Sequence, residues 1–195
     1  MTYEEYRQEV KKHLTERRFF HSECVADSAA WLAKQYGADV EKARLAGILH
    51  DIMKETPGEE QLKMMERFGI MLTQAQRRTP KLWHAFAAAA YIQHVLGLED
   101  QEIIEAVACH TGGKSGMKLL DKVLFVADYI SADRDYPGVE KLRALAGVSL
   151  EAVMVEGIAF TIPERMEQQT LEPRSIEAYN EALWALEENQ SRKGK

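Results

Sequence analysis

A chain of 195 residues is long enough for one domain with a sizeable core, and 46% hydrophobic with 29% charged residues is the composition of an ordinary soluble protein without low-complexity tracts. Twenty-five basic against thirty-one acidic residues give a formal charge of −6, which argues against a general binder of nucleic acid or anionic membranes and leaves any anionic substrate in need of a local cation. No apolar run approaches the ~20 residues that span a bilayer, the opening MTYEEYRQEVKKHL lacks an apolar signal core, and Cys24 and Cys109 stand far apart without a CxxC, so two buried thiols in a reduced cytoplasm are expected.

Thr2 to Glu5 reads as a capping box opening an amphipathic helix that runs to about Phe19, with Tyr3, Tyr6, Val10 and Leu14 on one face and His13 in a packing role. A second helix is expected from about Ser22 to Tyr36, stopped by Gly37, and a third capped by Asp39 that carries AGILHDIMK and ends at Pro57-Gly58. GEEQLKMMERFG predicts a short helix, QAQRRTPKLW an irregular connector, and HAFAAAAYIQHVLG a nearly all-buried helix closed by Gly97. Glu99 to His110 and Met117 to Ser131 follow as helices separated by Gly112-Gly113, then the loop SADRDYPG, then helices over Leu150 to Thr170 and Ser175 to Asn189, with Pro163 inside the first and Pro173 between them. No segment alternates as a strand, so the expected fold class is all-α, a layered helical bundle.

Against this apolar background a few polar residues need a reason. In AGILHDIMK, His50 and Asp51 interrupt a core-like helix, and although neighbouring residues diverge by 100° both can reach one ion lying beside the helix between them. A buried unpaired carboxylate costs several kcal/mol even after relaxation, and a dication removes that penalty; imidazole with carboxylate suits Fe, Mn, Co, Ni or Zn rather than Ca. Taken alone, the dipeptide reads more readily as a capping or salt-bridged Asp51 beside a satisfied core histidine. The company changes this: His21 and His84 are expected at helix starts, His110 at a helix end and Asp128 late in another helix, and one metal site explains all of these intrusions together.

The order His21, His50-Asp51, Asp128 resembles the H…HD…D pattern of the HD superfamily of metal-dependent phosphohydrolases, with Lys54 completing the frequent HDxxK form. HSECVADSAAWLA, KARLAGILHDIMK, AVACHTGG and MKLLDKVLFVADYISADR further resemble the YqeK family of symmetrical diadenosine tetraphosphate hydrolases, from about His21 to Asn180. The resemblance implies an HD core over about 18–135 with the C-terminal helices of about 150–190 packed on it. It implies that His21, His50, Asp51 and Asp128 hold an iron or similar divalent ion, a second ion being compatible with His84 and His110. It also implies that His84, His110, Thr111, Lys54 and Arg134 line the nucleotide phosphate site, with Arg174 and Ser175 of LEPRSIEAYN near the nucleotide. Ser175 stands where the family commonly has Thr, a change that keeps the hydroxyl.

Phosphoryl transfer needs an activated water and neutralised charge on the phosphate chain. Asp51, His84, His110 and Asp128 are the candidate catalytic residues, with Asp51 or Asp128 accepting the water's proton or holding it. Lys54 and Arg134 are the candidate cations, although Lys54 also reads as a solvated helix end and Arg134 as a partner of Asp133 or Asp135. Thr111-Gly112-Gly113 can offer backbone N–H groups to a phosphate, or simply cap a helix. His94 and the tryptophans read as structural, Trp83 beside His84 being the one candidate stacking platform. The expected partner is a small-molecule nucleotide, with no nucleic acid or membrane and with room for a homodimer. Other nucleotides, a binding-only HD domain and a haem-binding helical protein are the rival readings.

Overall fold

The computed structural model describes residues 1–167 and 171–193. Among these the chain is all-α: α1 (Tyr3–His13), α2 (Glu16–Tyr36), α3 (Val40–Leu49), α4 (Gly58–Arg67), α5 (Gln74–Arg77), a 3₁₀ turn (Pro80–Leu82), α6 (Trp83–His94), α7 (Gln101–Cys109), α8 (Leu119–Ile130), α9 (Val139–Ala146), α10 (Leu150–Glu167) and α11 (Pro173–Lys193). The tail of the expected helix to Thr170, residues 168–170, lies outside the described residues.

Several boundaries differ from expectation for local chemical reasons. The first helix stops at His13, because Leu14 is extended and the Thr15 hydroxyl accepts from Arg18 N–H to start α2. His21 is therefore inside a helix rather than at its start. α3 ends at Leu49 instead of running to Pro57, and Ile52 N–H→Leu49 O and Lys54 N–H→Asp51 O turn the chain through His50–Glu55. The segment expected to be an irregular connector holds α5, capped by Thr73 and Gln76, and the 3₁₀ turn. α9 was not anticipated. Its Val139, Leu142 and Ala146 are buried at helical spacing, and it starts from Gly138 at φ 93° without a side-chain cap. Pro173 opens α11, where its missing N–H is harmless.

The centre of the molecule is α3, packed against α2, α7 and α8, with α6 flanking α7. α2 and α3 meet through Ala26, Ala29, Ala33, Ala43 and Ala46, all fully buried. At Gly47 the approach is backbone to backbone: a Cβ there would lie 2.5 Å from Ala26 Cα. Such closeness sets the spacing between the helix that carries His21 and the one that delivers His50 and Asp51. On the other side α10 packs on α8 and α9 and pairs with α11. Gly157 lets it approach the Tyr129 ring, whose nearest carbon is 3.0 Å from an ideal Cβ. No described helix is long and apolar enough to cross a membrane.

The glycine pair after α7 is chiefly a helix end. Gly113 has φ 71° and its N–H donates to Cys109 O, so that N–H is already engaged. A Cβ at this position would sit 2.8 Å from Ala178 Cβ of α11. Gly113→Ala combines left-handed strain with overpacking and should cost about 2–4 kcal/mol, lowering the melting temperature by about 4–16 °C in calorimetry. An unchanged transition would show that α11 is not seated against this turn.

Candidate metal centre and phosphate site

Five helices deliver polar side chains to one buried point. α2 brings His21, the end of α3 His50 and Asp51, the first turn of α6 His84, the end of α7 His110, and α8 Asp128. His50 is 0% exposed and His21, Asp51, His84 and His110 are at most 3% exposed, while Asp128 is partly open.

The hydrogen bonds at the outer ring nitrogens explain where the inner ones point. His21 Nδ1–H donates to Asp133 Oδ2 (2.8 Å), His50 Nδ1–H to Gly47 O (2.6 Å) and His110 Nδ1–H to Val107 O (2.7 Å). Each engagement makes Nδ1 the donor, so Nε2, which faces inward in all three rings, carries a lone pair when the ring is neutral and an N–H when it is protonated. His84 Nε2 joins them at 3.2 Å from both His110 Nε2 and Asp51 Oδ1. Burial lowers the His84 imidazole to about 4, so it is neutral and only weakly basic at physiological pH.

Asp51 is the hub. Its Oδ2 accepts from Arg18 Nη1 (3.0 Å) and lies 3.5 Å from His50 Nε2, while Oδ1 faces His84, His110 (3.6 Å) and Lys54 Nζ (4.0 Å). Burial alone would raise this carboxyl, but the His50, His110 and His84 imidazoles outweigh it and hold Asp51 well below the usual range. Burial likewise opposes charge on Asp128, and His21 at 3.1 Å together with Arg134 overrides it. Both side chains are carboxylates at neutral pH.

Among the described residues two buried atoms at this point have no hydrogen-bond partner: His50 Nε2 and Asp51 Oδ1. Orphaned polar atoms are rare in folded proteins and here they belong to adjacent residues facing a common space. The donor atoms form three overlapping groups, each within 4.8 Å: His21, His50, Asp51; His50, His110, Asp128; and Asp51, His84, His110. A divalent cation fits this arrangement, because it would satisfy both orphans and balance the paired carboxylates. Thiolate takes no part: both cysteines are free and buried, and burial pushes the Cys109 thiol up to about 12.

The other expected residues fall around this centre at different distances. Lys54 Nζ lies 3.2 Å from His84 Nε2, and Thr111 Oγ1 lies within 3.2 Å of the inner nitrogens of His84 and His110. Arg134 binds Asp128 through both its side chain and its carbonyl, rather than Asp133 or Asp135 as one reading of the sequence had it. Arg174 and Ser175 are not brought into the cluster: Arg174 lies over the Phe86 ring, and Ser175 Oγ accepts from Arg165 Nη1 (2.7 Å). Trp83 donates to Gln76 O and props the α5 turn, and His13 bonds Tyr91 in a packing role.

Three site residues went unread in the sequence. Asp133 orients His21, Arg18 anchors Asp51, and Arg165 approaches Thr111 O (3.5 Å) from α10. Arg18 carries the only available signal, lying one helical turn before His21; the other two sit in ordinary charged stretches.

Known proteins resemble this chain over most of its length. The model of the HD domain matches residues 18–133, which end at Asp133. Proteins named symmetrical bis(5'-nucleosyl)-tetraphosphatase from Bacillus subtilis and Halalkalibacterium halodurans are 38% and 37% identical, covering 88% and 89% of this chain and 92% and 93% of their own lengths. A crystal structure from Clostridium acetobutylicum, described as a predicted HD superfamily hydrolase involved in NAD metabolism, superposes with a TM-score of 0.90 at 32% identity over 95% of this chain and 98% of that one. The helical scaffold, the histidine–aspartate centre it carries and these matches together establish that the chain belongs to the HD domain family, alongside the bacterial symmetrical bis(5'-nucleosyl)-tetraphosphatases.

Proposed function

We propose that this protein is a metal-dependent hydrolase that cleaves diadenosine tetraphosphate symmetrically into two ADP. The observation that carries this reading is the buried meeting of imidazole and carboxylate atoms with His50 Nε2 and Asp51 Oδ1 left unpartnered, in a chain whose relatives bear that activity in their names.

His21, His50, Asp51 and Asp128 are the proposed metal ligands, and the group formed by Asp51, His84 and His110 is the place for a second ion. Imidazole and carboxylate without thiolate suit iron, the ion we favour, and by the same chemistry Mn, Co, Ni or Zn. A divalent ion held there supplies a water of near-neutral pKa and positive charge against a phosphate oxygen. The protein's own part is positioning and proton handling. Asp51 or Asp128 holds the attacking water and takes its proton, and Asp133 keeps His21 turned inward. His84, His110 and the Thr111 hydroxyl line the path of the phosphates. Lys54 and Arg134 neutralise their charge, Ser175 acts through Arg165, and Arg174 stays at the edge of the nucleotide's neighbourhood. We also propose a single domain, an HD core over about 18–135 with the helices of about 150–190 packed on it, working in the cytoplasm, where two free buried thiols are at home.

Lys54→Ala and Arg134→Ala should each raise KM about tenfold with metal retained, measured by steady-state kinetics alongside metal analysis. Unchanged kinetics in both would remove them from the phosphate site. The function itself is tested by incubating anaerobically purified protein, loaded with Fe²⁺ and in parallel with Mn²⁺ or Co²⁺, with diadenosine tetraphosphate and separating the products by ion exchange. ADP alone is expected. ATP with AMP would overturn the symmetrical register, and no turnover with metal bound would move the substrate to another nucleotide or the role to binding.

A further inference from the structure

Two cavities open beside the metal centre and share Thr111, Thr161 and Arg165 as a common wall. One, of about 260 Å³, runs from His110, Asp128 and Arg134 out to Tyr136 and Phe160. The other, of about 430 Å³, is bordered by Lys54, Pro80, Leu82 and His84 and, among the described residues, has no Phe, Tyr or Trp side chain in its wall.

The aromatic wall has no evident structural reason. Phe160 is 61% exposed on α10, at the mouth of a polar site, where an apolar ring of this size gains little from packing. Its ring lies against Tyr136 with centroids 5.8 Å apart and planes inclined by 25°. Tyr136 is itself held in place by its hydroxyl, which donates to Tyr129 O (2.7 Å). A fixed ring carrying an exposed one is a flat apolar platform of the kind on which nucleobases stack. Arg165 supplies the matching charge. Its guanidinium donates to Ser175 Oγ and toward Thr111 O, both neutral, and among the described residues it forms no ion pair with a carboxylate. This cation lies where the two cavities meet and beside Thr111, the residue after His110.

We infer that the Tyr136–Phe160 cavity is a nucleoside subsite, in which one adenine of the dinucleotide stacks on Phe160 while Arg165 grips the phosphate chain at the boundary with the second cavity. This rests on the reading of the protein as a diadenosine tetraphosphate hydrolase. A substrate with two identical halves would then be held unequally, by stacking on one side and without it on the other.

The test is calorimetric titration of the metal-loaded protein with ADP and, separately, with inorganic tripolyphosphate, which has no base. Phe160→Ala should weaken ADP roughly 5- to 100-fold, the usual loss of one base–aromatic stack, and leave tripolyphosphate unchanged, and Phe160→Tyr should restore ADP binding. Arg165→Ala should weaken both probes, with partial recovery in Arg165→Lys. ADP affinity unaffected by Phe160→Ala, or an equal loss for tripolyphosphate, would overturn the subsite. Turnover of diadenosine tetraphosphate by the wild-type preparation is measured in parallel: its absence with the ADP pattern intact refutes the substrate and not the subsite, whereas turnover with no effect of Phe160→Ala refutes the subsite alone.

Discussion

Asp51→Asn should lower kcat/KM for diadenosine tetraphosphate by about 10³-fold or more and reduce bound metal, with helical circular dichroism unchanged. Asparagine keeps the shape of the side chain, so packing is not the cause. What it removes is the negative charge at a hub where Arg18, Lys54, His50, His84 and His110 all converge. It also replaces one acceptor oxygen with an N–H₂ group, which cannot serve as a ligand and would face either the Arg18 guanidinium or the His84 and His110 nitrogens. Steady-state kinetics and elemental analysis on the same samples check this. A variant with wild-type activity and a full complement of metal would mean that Asp51 is a structural acid only.

The second large effect is expected at a residue that has no side chain. Gly47→Ala should destabilise the fold by about 3 kcal/mol, near the upper end for overpacking, and lower the melting temperature by about 6–12 °C. The added methyl would stand 2.5 Å from Ala26 Cα and 2.8 Å from Ala26 N, and backbone of a helix interior cannot step aside as a side-chain tip does. Relief requires α3 to move away from α2, and the Gly47 carbonyl is the acceptor that orients His50. The same methyl thus separates His21 from His50 and Asp51 and loosens the imidazole tautomer. Activity measured well below the melting transition should fall at least tenfold with weakened metal retention. Wild-type thermal stability would contradict the close α2–α3 approach. Lost stability with intact metal binding would show that the centre tolerates the shift.

Much of this architecture is visible in the residues, for reasons that also explain the failures. Thr2, Gly37 and Asp39 act as caps where their chemistry says they should, and the buried face of α6 follows from its run of alanines. The break at Leu14-Thr15 is hidden because Leu14 and Phe19 are both buried, so the apolar periodicity runs straight through a change of helix. His50–Glu55 reads as helix because its turns place side chains at nearly helical spacing. α9 is short and starts at a glycine without a capping side chain, which removes the usual signals. In the centre, His21, His50, Asp51, His84 and His110 are conspicuous because they interrupt apolar helices. Asp133, Arg18 and Arg165 are hidden in charged stretches, where one more charge says nothing, and only the packing of α2, α8 and α10 gives each a partner.

Side chains from five helices form one buried site that fits a divalent cation. Titrating the chelator-stripped protein with Co²⁺ and following the visible ligand-field absorption tests it most directly. Saturable bands from nitrogen and oxygen ligation are expected, complete at one or two equivalents per chain and lost in His50→Ala although the variant keeps its helical spectrum. Cobalt bound no more tightly by the wild type than by His50→Ala would contradict such a site.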